Sequence, residues 1–212
     1  MSEDGYEVAR IDELDAFPIN NGEFIWRPVR RRLGISAFGT NAYSAEKAGQ
    51  RVIEEHFERD GHEELYLVAK GRATFTLGDE EIDASAGTFV YATPGTKRGA
   101  VALEPGTTIV AFGAKLGVPH EISGWEGIFV ALGHLKKGEE DKGRQAMAAA
   151  IAERPDDWQG QYNAACFESL TGNKDEAIAH LQRAIELDPK AREFAQKDTD
   201  FDWLRDDPEF PA

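Results

Sequence analysis

The chain has 212 residues, with 24 Lys+Arg against 39 Asp+Glu, a net charge of −15 and one cysteine. That length suits one β domain with a smaller appendage, and the acidity opposes approach to phosphate backbones and anionic lipid surfaces, so neither a nucleic acid nor a membrane partner is expected. The lone Cys166 excludes an intrachain disulfide framework and a cysteine-rich zinc site.

Residues 1–34 read as an N-terminal extension that packs in part on the β domain. Its start, Met1-Ser2-Glu3-Asp4-Gly5, is acidic and lacks the basic and apolar segments of a secretory signal. No stretch reaches the length of a membrane span. The expected address is the cytoplasm. The basic run Arg27, Arg30, Arg31 and Arg32 has two readings, a phosphate-binding patch or a set of partners for carboxylates; in so acidic a chain the second is preferred. Phe24, Ile25, Trp26 and Val29 offer apolar contacts for a homodimer.

Residues 35–113 show short runs of β-branched and aromatic residues punctuated by glycine-containing turns. The strands expected are Ile35 to Tyr43, Arg51 to Phe57, Glu64 to Ala69, Ala73 to Leu77, Glu81 to Ala84, Thr88 to Ala92, Arg98 to Leu103 and Thr107 to Gly113. So many closely spaced strands are best satisfied by a barrel or sandwich. Residues 114–137 read as an irregular linker, because Pro119, Gly124, Gly127 and Gly133 argue against one long helix.

Beyond Gly138 the composition shifts to Ala, Glu, Gln and Lys, the strong helix formers. Ala150-Ile151-Ala152-Glu153-Arg154-Pro155 and Ala184-Ile185-Glu186-Leu187-Asp188-Pro189 align at an offset of 34 residues. One unit fits between Trp158 and Lys190, with Gly172-Asn173 at its turn, and Gln145 to Pro155 looks like the second half of another. Residues 138–212 thus resemble the tetratricopeptide-repeat family, with a C-terminal cap built on Phe194, Phe201, Trp203, Leu204 and Phe210. So short an array cannot bury a continuous core unaided, and the tail is expected to dock on the barrel, on a second copy or on a protein partner. Cys166 is expected to be structural filler.

The chemistry-bearing residues lie in two stretches. His56-Phe57-Glu58 is followed by Glu64-Leu65-Tyr66-Leu67-Val68-Ala69-Lys70-Gly71, and Gly87-Thr88-Phe89-Val90-Tyr91-Ala92-Thr93-Pro94-Gly95-Thr96-Lys97-Arg98 comes later. These stretches resemble the two motifs of the cupin superfamily, and the resemblance covers about residues 45–113. It implies a mainly β plus α protein, a double-stranded β-helix barrel followed by the α-helical segment. In metal-binding cupins two histidines, a glutamate and a later histidine converge on a divalent metal. Here the first histidine matches His56, the second falls on Glu58, the glutamate is Glu64 and the last histidine falls on Arg98, which has no lone pair to offer. His62 shares strand parity with Glu64 and can compensate.

Two ligand sets are open. A divalent transition metal would use His56, Glu58, His62 and Glu64; without one, a small molecule would be held by Glu64, Tyr66, Phe89 and Arg98, with Arg98 near the vacated metal position. The strand carrying His56 can be phased either way, since Ile53, Glu55 and Phe57 share one face while Val52, Glu54, His56 and Glu58 share the other. The preferred function is a small-molecule-binding barrel with a degenerate metal motif and a helical tail for docking or assembly. The alternatives are a metal-dependent enzyme of dioxygenase, isomerase or cyclase type using His56, His62 and Glu64, and an interaction scaffold acting through the tail.

Overall fold

A computed structural model describes residues 6–19, 22–58, 61–120 and 124–211. The acidic start Met1 to Gly5 and part of the expected linker lie outside the described residues. The chain divides into two compact units, residues 1–122 and 123–212.

In the first unit, β1 (Phe17–Ile19) and β2 (Phe24–Arg27) lead into the short α1 (Val29–Leu33). Eight further strands follow: β3 (Gly39–Ser44), β4 (Arg51–Phe57), β5 (His62–Lys70), β6 (Arg72–Leu77), β7 (Glu80–Ser85), β8 (Phe89–Ala92), β9 (Lys97–Ala102) and β10 (Thr108–Lys115). Each strand read from residues 35–113 is present; β4 has the expected bounds and the others have displaced ends. The largest displacement is at β3, which starts at Gly39 because α1 and its left-handed cap Gly34 occupy the approach.

The strands form two sheets, one of six in the order β1-β2-β3-β10-β5-β8 and one of four in the order β4-β9-β6-β7, every pairing antiparallel. Alternation on each strand sends one set of side chains inward. Tyr66 and Val68 of β5, Val90 and Ala92 of β8, Ile109 and Ala111 of β10, Phe75 of β6 and Ala100 and Ala102 of β9 share one buried core. β1 and β2 extend the sheet beyond the strands the sequence announced: Phe17 and Trp26 stand opposite each other, both buried, with ring centroids 5.8 Å apart. Pro18 is tolerated because β1 is an edge strand and the missing N–H breaks no interior ladder.

The second unit is built from α2 (Gly124–Lys136), α3 (Glu140–Glu153), α4 (Trp158–Leu170), α5 (Lys174–Leu187) and α6 (Lys190–Ala195), ending in short turns. Residues 124–136, expected to be irregular, are helical. Each glycine costs about 1 kcal/mol in a helix relative to alanine, but α2 buries Ile128 and Ala131 against Met147, Ala164 and Phe167, and this packing outweighs the local penalty. α2 gives α3 a neighbouring helix where the sequence suggested only half a hairpin. α3 comes so close that a Cβ at Gly143 would lie 2.9 Å from the Ala131 carbonyl oxygen. The C-terminal segment closes the α4 and α5 pair, with Phe201, Leu204 and Phe210 buried among Ala165, Leu181 and Ala195, while Phe194 and Trp203 stay exposed. No helix among the described residues is long and apolar enough to cross a membrane.

The turn between β5 and β6 is the tightest in the first unit. Gly71 has φ +77°, and a Cβ there would lie 2.5 Å from Thr107 Oγ1 and 2.9 Å from Thr107 Cα. Thr107 is itself fully buried and accepts from Arg72 N–H through that oxygen. Gly71→Ala is therefore expected to lower stability by well over the ~1 kcal/mol of an ordinary glycine substitution. Urea denaturation checks this, and a loss below that figure contradicts the packing.

Candidate functional site

Glu64 projects from β5 toward the interior, one inward position before Tyr66. Across from it, in the other sheet, His56 of β4 and Arg98 of β9 stand opposite each other in register. These residues sit at one end of the core, beyond Ala92, which pairs with Glu64, and beyond Ala100, the next inward residue of β9.

The phase of β4 follows from two irregularities in its pairing with β9, one between Arg51 and Ile53 and one between Ile53 and His56. Extra residues in a bulged strand break strict alternation. Val52 and Ile53 can thus both be buried, while His56 and Glu58 turn toward Glu64 and Phe57 is 52% exposed.

The contacts converge on one oxygen. Glu64 Oε2 lies 3.2 Å from His56 Nε2 and 3.2 Å from Arg98 Nε, and it accepts the hydroxyl hydrogen of Tyr66. Arg98 is completely buried. Its Nη1 donates to the Thr96 carbonyl oxygen at 2.8 Å, whereas Nε and Nη2 make no hydrogen bond of good geometry. His56 Nδ1 lies 2.8 Å from the Glu54 carbonyl oxygen, which orients the ring. Glu58 lies beside the pair, 3.9 Å from His56 Nε2 through one oxygen and 3.3 Å from His62 Nδ1 through the other. His62 fits because β10 has a glycine beside it: a Cβ at Gly113 would lie 2.6 Å from His62 Nε2.

Electrostatics reflect this geometry. The hydrogen bond to Glu64 is the main influence on His56 and raises its pKa, with burial opposing. Burial is the largest influence on Glu64 and resists ionisation, but the hydrogen bonds from His56 and Tyr66 and the charges of His56 and Arg98 outweigh it and hold the carboxyl below its usual value. Burial, followed by the adjacent Glu64 charge, pushes the Tyr66 phenol far up, so it stays a donor.

The residues singled out in the sequence therefore divide. His56, Glu58 and Glu64 offer ligand atoms within 4.8 Å of one another, the spacing a metal ion needs, with His62 attached through Glu58. Glu64, Tyr66 and Arg98 form the buried side of the same cluster. Phe89 does not join them. The register Glu64↔Ala92 and Tyr66↔Val90 makes Val90 and Ala92 the inward residues of β8, so Phe89 points out and is 63% exposed. Within the basic run, Arg32 meets the Glu7 carboxylate as expected, Arg27 donates to Ser44 Oγ, and Arg30 donates to the Ile35 carbonyl oxygen. In the second unit Cys166 has company that its sequence neighbourhood did not show, since Asp198 and Asp200 come within metal-ligand spacing of it. Burial, with both carboxylates adding to it, raises the thiol far above its usual pKa, which leaves it protonated and unreactive.

Residues 45–112 match the family model described as "Cupin domain", which supports a place for the barrel in the cupin superfamily. Among solved structures, the chain is similar to KdgF from Halomonas sp., at 20% identity over 52% of this chain and 90% of that one with a TM-score of 0.41. It is likewise similar to an RmlC-like cupin from Shewanella frigidimarina, at 17% identity over 53% and 95% of the chains with a TM-score of 0.42. A third is described as a predicted oxalate decarboxylase from Thermotoga maritima, at 16% identity over 52% and 100% with a TM-score of 0.44. No curated protein matches.

The paired shifts fix a pH dependence. The raised pKa of His56 means that its contribution to stability is complete below the unfolded histidine value and is lost as pH rises through the folded one. The lowered pKa of Glu64 means that its contribution is present above the unfolded carboxylate value and is lost as pH falls through the folded one. Stabilisation by the pair is therefore greatest between these limits. In an NMR titration the His56 ring is expected to titrate above the ordinary histidine range, and Glu64→Gln to bring it down; an unchanged midpoint in that variant would break the assignment.

Proposed function

We propose that the barrel is a small-molecule-binding domain whose polar site is organised without a metal, Arg98 serving as the permanent cation in the position where a metal-binding cupin has its last histidine. The observation that carries this reading is the burial of Arg98 with its Nε 3.2 Å from Glu64 Oε2. The oxygen best placed to ligate a metal already faces a guanidinium, a histidine and a phenol donor. A divalent ion there would have to displace donors and tolerate a fixed positive charge that has nowhere to move. The donor set thus fits a hydrogen-bonded carboxylate better than a metal centre.

Within this reading the roles differ by depth. Arg98 and Tyr66, both buried, hold the Glu64 carboxylate ionised and oriented. His56, Glu58 and His62 keep partial exposure and form the rim that a ligand meets first. The ligand class is a polar molecule that donates hydrogen bonds to Glu58 and Glu64. Arg98 acts on it through Glu64.

A metal-dependent enzyme is the second reading, favoured by the convergence of His56, Glu58 and Glu64. The paired α2–α3 and α4–α5 helices and the 34-residue offset between their closing segments support a tetratricopeptide-like tail that serves assembly. That part of the proposal extends to self-association, and a full chain that sediments as a monomer removes the homodimer from it.

Metal analysis separates the two readings of the barrel. Protein purified without chelators is expected to hold well under one equivalent of transition metal, and Arg98→His to acquire a divalent ion that His56→Ala in the same background abolishes. One tightly held equivalent in the unmodified protein, lost on His56→Ala, would establish the metalloenzyme reading instead.

A further inference from the structure

A cavity of about 500 Å³ lies outside the barrel core, against the face of the six-stranded sheet opposite to the Glu64 cluster. Its floor is one rung of that sheet: Ile25 of β2 pairs with Ser44 of β3, Ser44 with Thr108 of β10, and Thr108 with Lys70 of β5. The neighbouring rung, Tyr43 and Ile109, packs into the core. Successive residues of a strand face opposite ways, so Ser44 and Thr108 face outward, as does Arg27, which pairs with Ala42 two residues before Ser44. Arg10 and Asp12 of the N-terminal segment wall the groove.

The charge inside this groove is unlike that of the chain. Arg10, Arg27 and Lys70 line it against Asp12 and Glu46, an excess of one cation in a protein of net charge −15. Arg10 and Asp12 satisfy each other in a two-pronged pair at 3.0 and 3.1 Å. Arg27 and Lys70 remain, and among the described residues neither has a carboxylate within ion-pair distance. Arg27 is half-buried. Its Nη1 donates to Ser44 Oγ at 2.9 Å, Ser44 Oγ lies 2.9 Å from Thr108 Oγ1, and its Nε is buried with no hydrogen-bond partner. Asp12 acts on Arg27 by charge but does not touch it, and burial outweighs that influence. A half-buried guanidinium with no carboxylate in contact gains from an anion, which offers it the bidentate contact for which its fork is shaped.

We propose that this groove is a binding site for a small organic oxyanion, a carboxylate or phosphate ester. Arg27 is its anchor and Lys70 supplies the second charge. Ile11, Ile25 and Ala69 provide apolar wall for the organic body, and the volume falls within the usual range for small-ligand sites. The site is independent of the Glu64 cluster, being on the other face of the sheet.

The test is a titration of the full chain with benzoate and with phenyl phosphate, followed by amide NMR and calorimetry at constant ionic strength. Saturable binding to at least one probe is expected, with the largest shifts at Ser44, Thr108 and Lys70; whichever probe binds more tightly assigns the oxyanion. Lys70→Gln and Arg27→Gln are each expected to weaken binding about tenfold, Asp12→Asn to strengthen it and His56→Ala to leave it unchanged. Lys70 is exposed, so its substitution reads the site without threatening the fold. The proposal is overturned if neither probe saturates, if Lys70→Gln binds as tightly as the unmodified protein, or if the shifts gather around His56 and Glu64.

Discussion

A guanidinium with no solvent exposure must find its compensation inside the protein, and at Arg98 it finds a carboxylate from the opposite sheet. Burying an ion costs several kcal/mol, and the mutual attraction of the pair offsets this only when the remaining polar atoms are also engaged. Tyr66, His56 and the Thr96 carbonyl supply most of that engagement. The interaction therefore does two things at once. It joins β5 of one sheet to β9 of the other at the end of the core, and it keeps Glu64 ionised where burial alone would neutralise it. The upward shift of His56 and the retention of the Tyr66 proton both descend from that single negative charge.

Much of the barrel was legible because its strands alternate cleanly and its turns carry glycine, and the cluster at Glu64 was legible because Glu64 to Gly71 keeps a motif spacing and His56 and Arg98 fall on motif positions. What the sequence could not give was phase. β4 reads equally well in two registers, and only the irregular pairing with β9 lets Val52 and Ile53 share the interior while His56 still faces Glu64. Phe89 failed for a related reason. An aromatic residue on a strand invites an interior assignment, but the small Ala92 and modest Val90 are what the packed interior beside Tyr66 and Phe75 admits. Arg27 feels the charge of Asp12 but has no carboxylate in direct contact among the described residues, because the acidity of a whole chain says nothing about the few ångströms around one side chain.

In the helical unit packing overrides local propensity. Three glycines in residues 124–136 weaken an isolated helix, yet the same segment spaces Ile128, Ala131 and Leu135 for one apolar face against α3 and α4. Once that face is covered, small residues become useful. The closeness of Gly143 to Ala131 and Phe167 shows α3 seated where any side chain would hold it off. The aspartates around Cys166 belong to the same logic: Asp198 accepts from the Tyr162 hydroxyl at 2.8 Å and caps the turn at Asp200, so the cluster is accounted for by the closure of the C-terminal segment.

One strand, β5, serves both polar regions of the first unit, and a single irregularity makes this workable. Its residues Glu64, Tyr66 and Val68 face inward, and strict alternation would send Lys70 inward too, toward the core end occupied by Val68 and Ala102. The pairing with β10 shifts between Ile109 and Thr108, so that Val68 stands opposite Ile109 but Lys70 opposite Thr108. That extra residue, Ala69, turns the ammonium out to the groove beside Thr108 and Ala69 itself. The shift spares the core an unpaired charge and leaves Glu64 with Arg98 as its buried cation. It also places a lysine near Arg27 on a face where neither has a carboxylate partner among the described residues. The order in the interior and the charge excess outside are thus two consequences of one bulge.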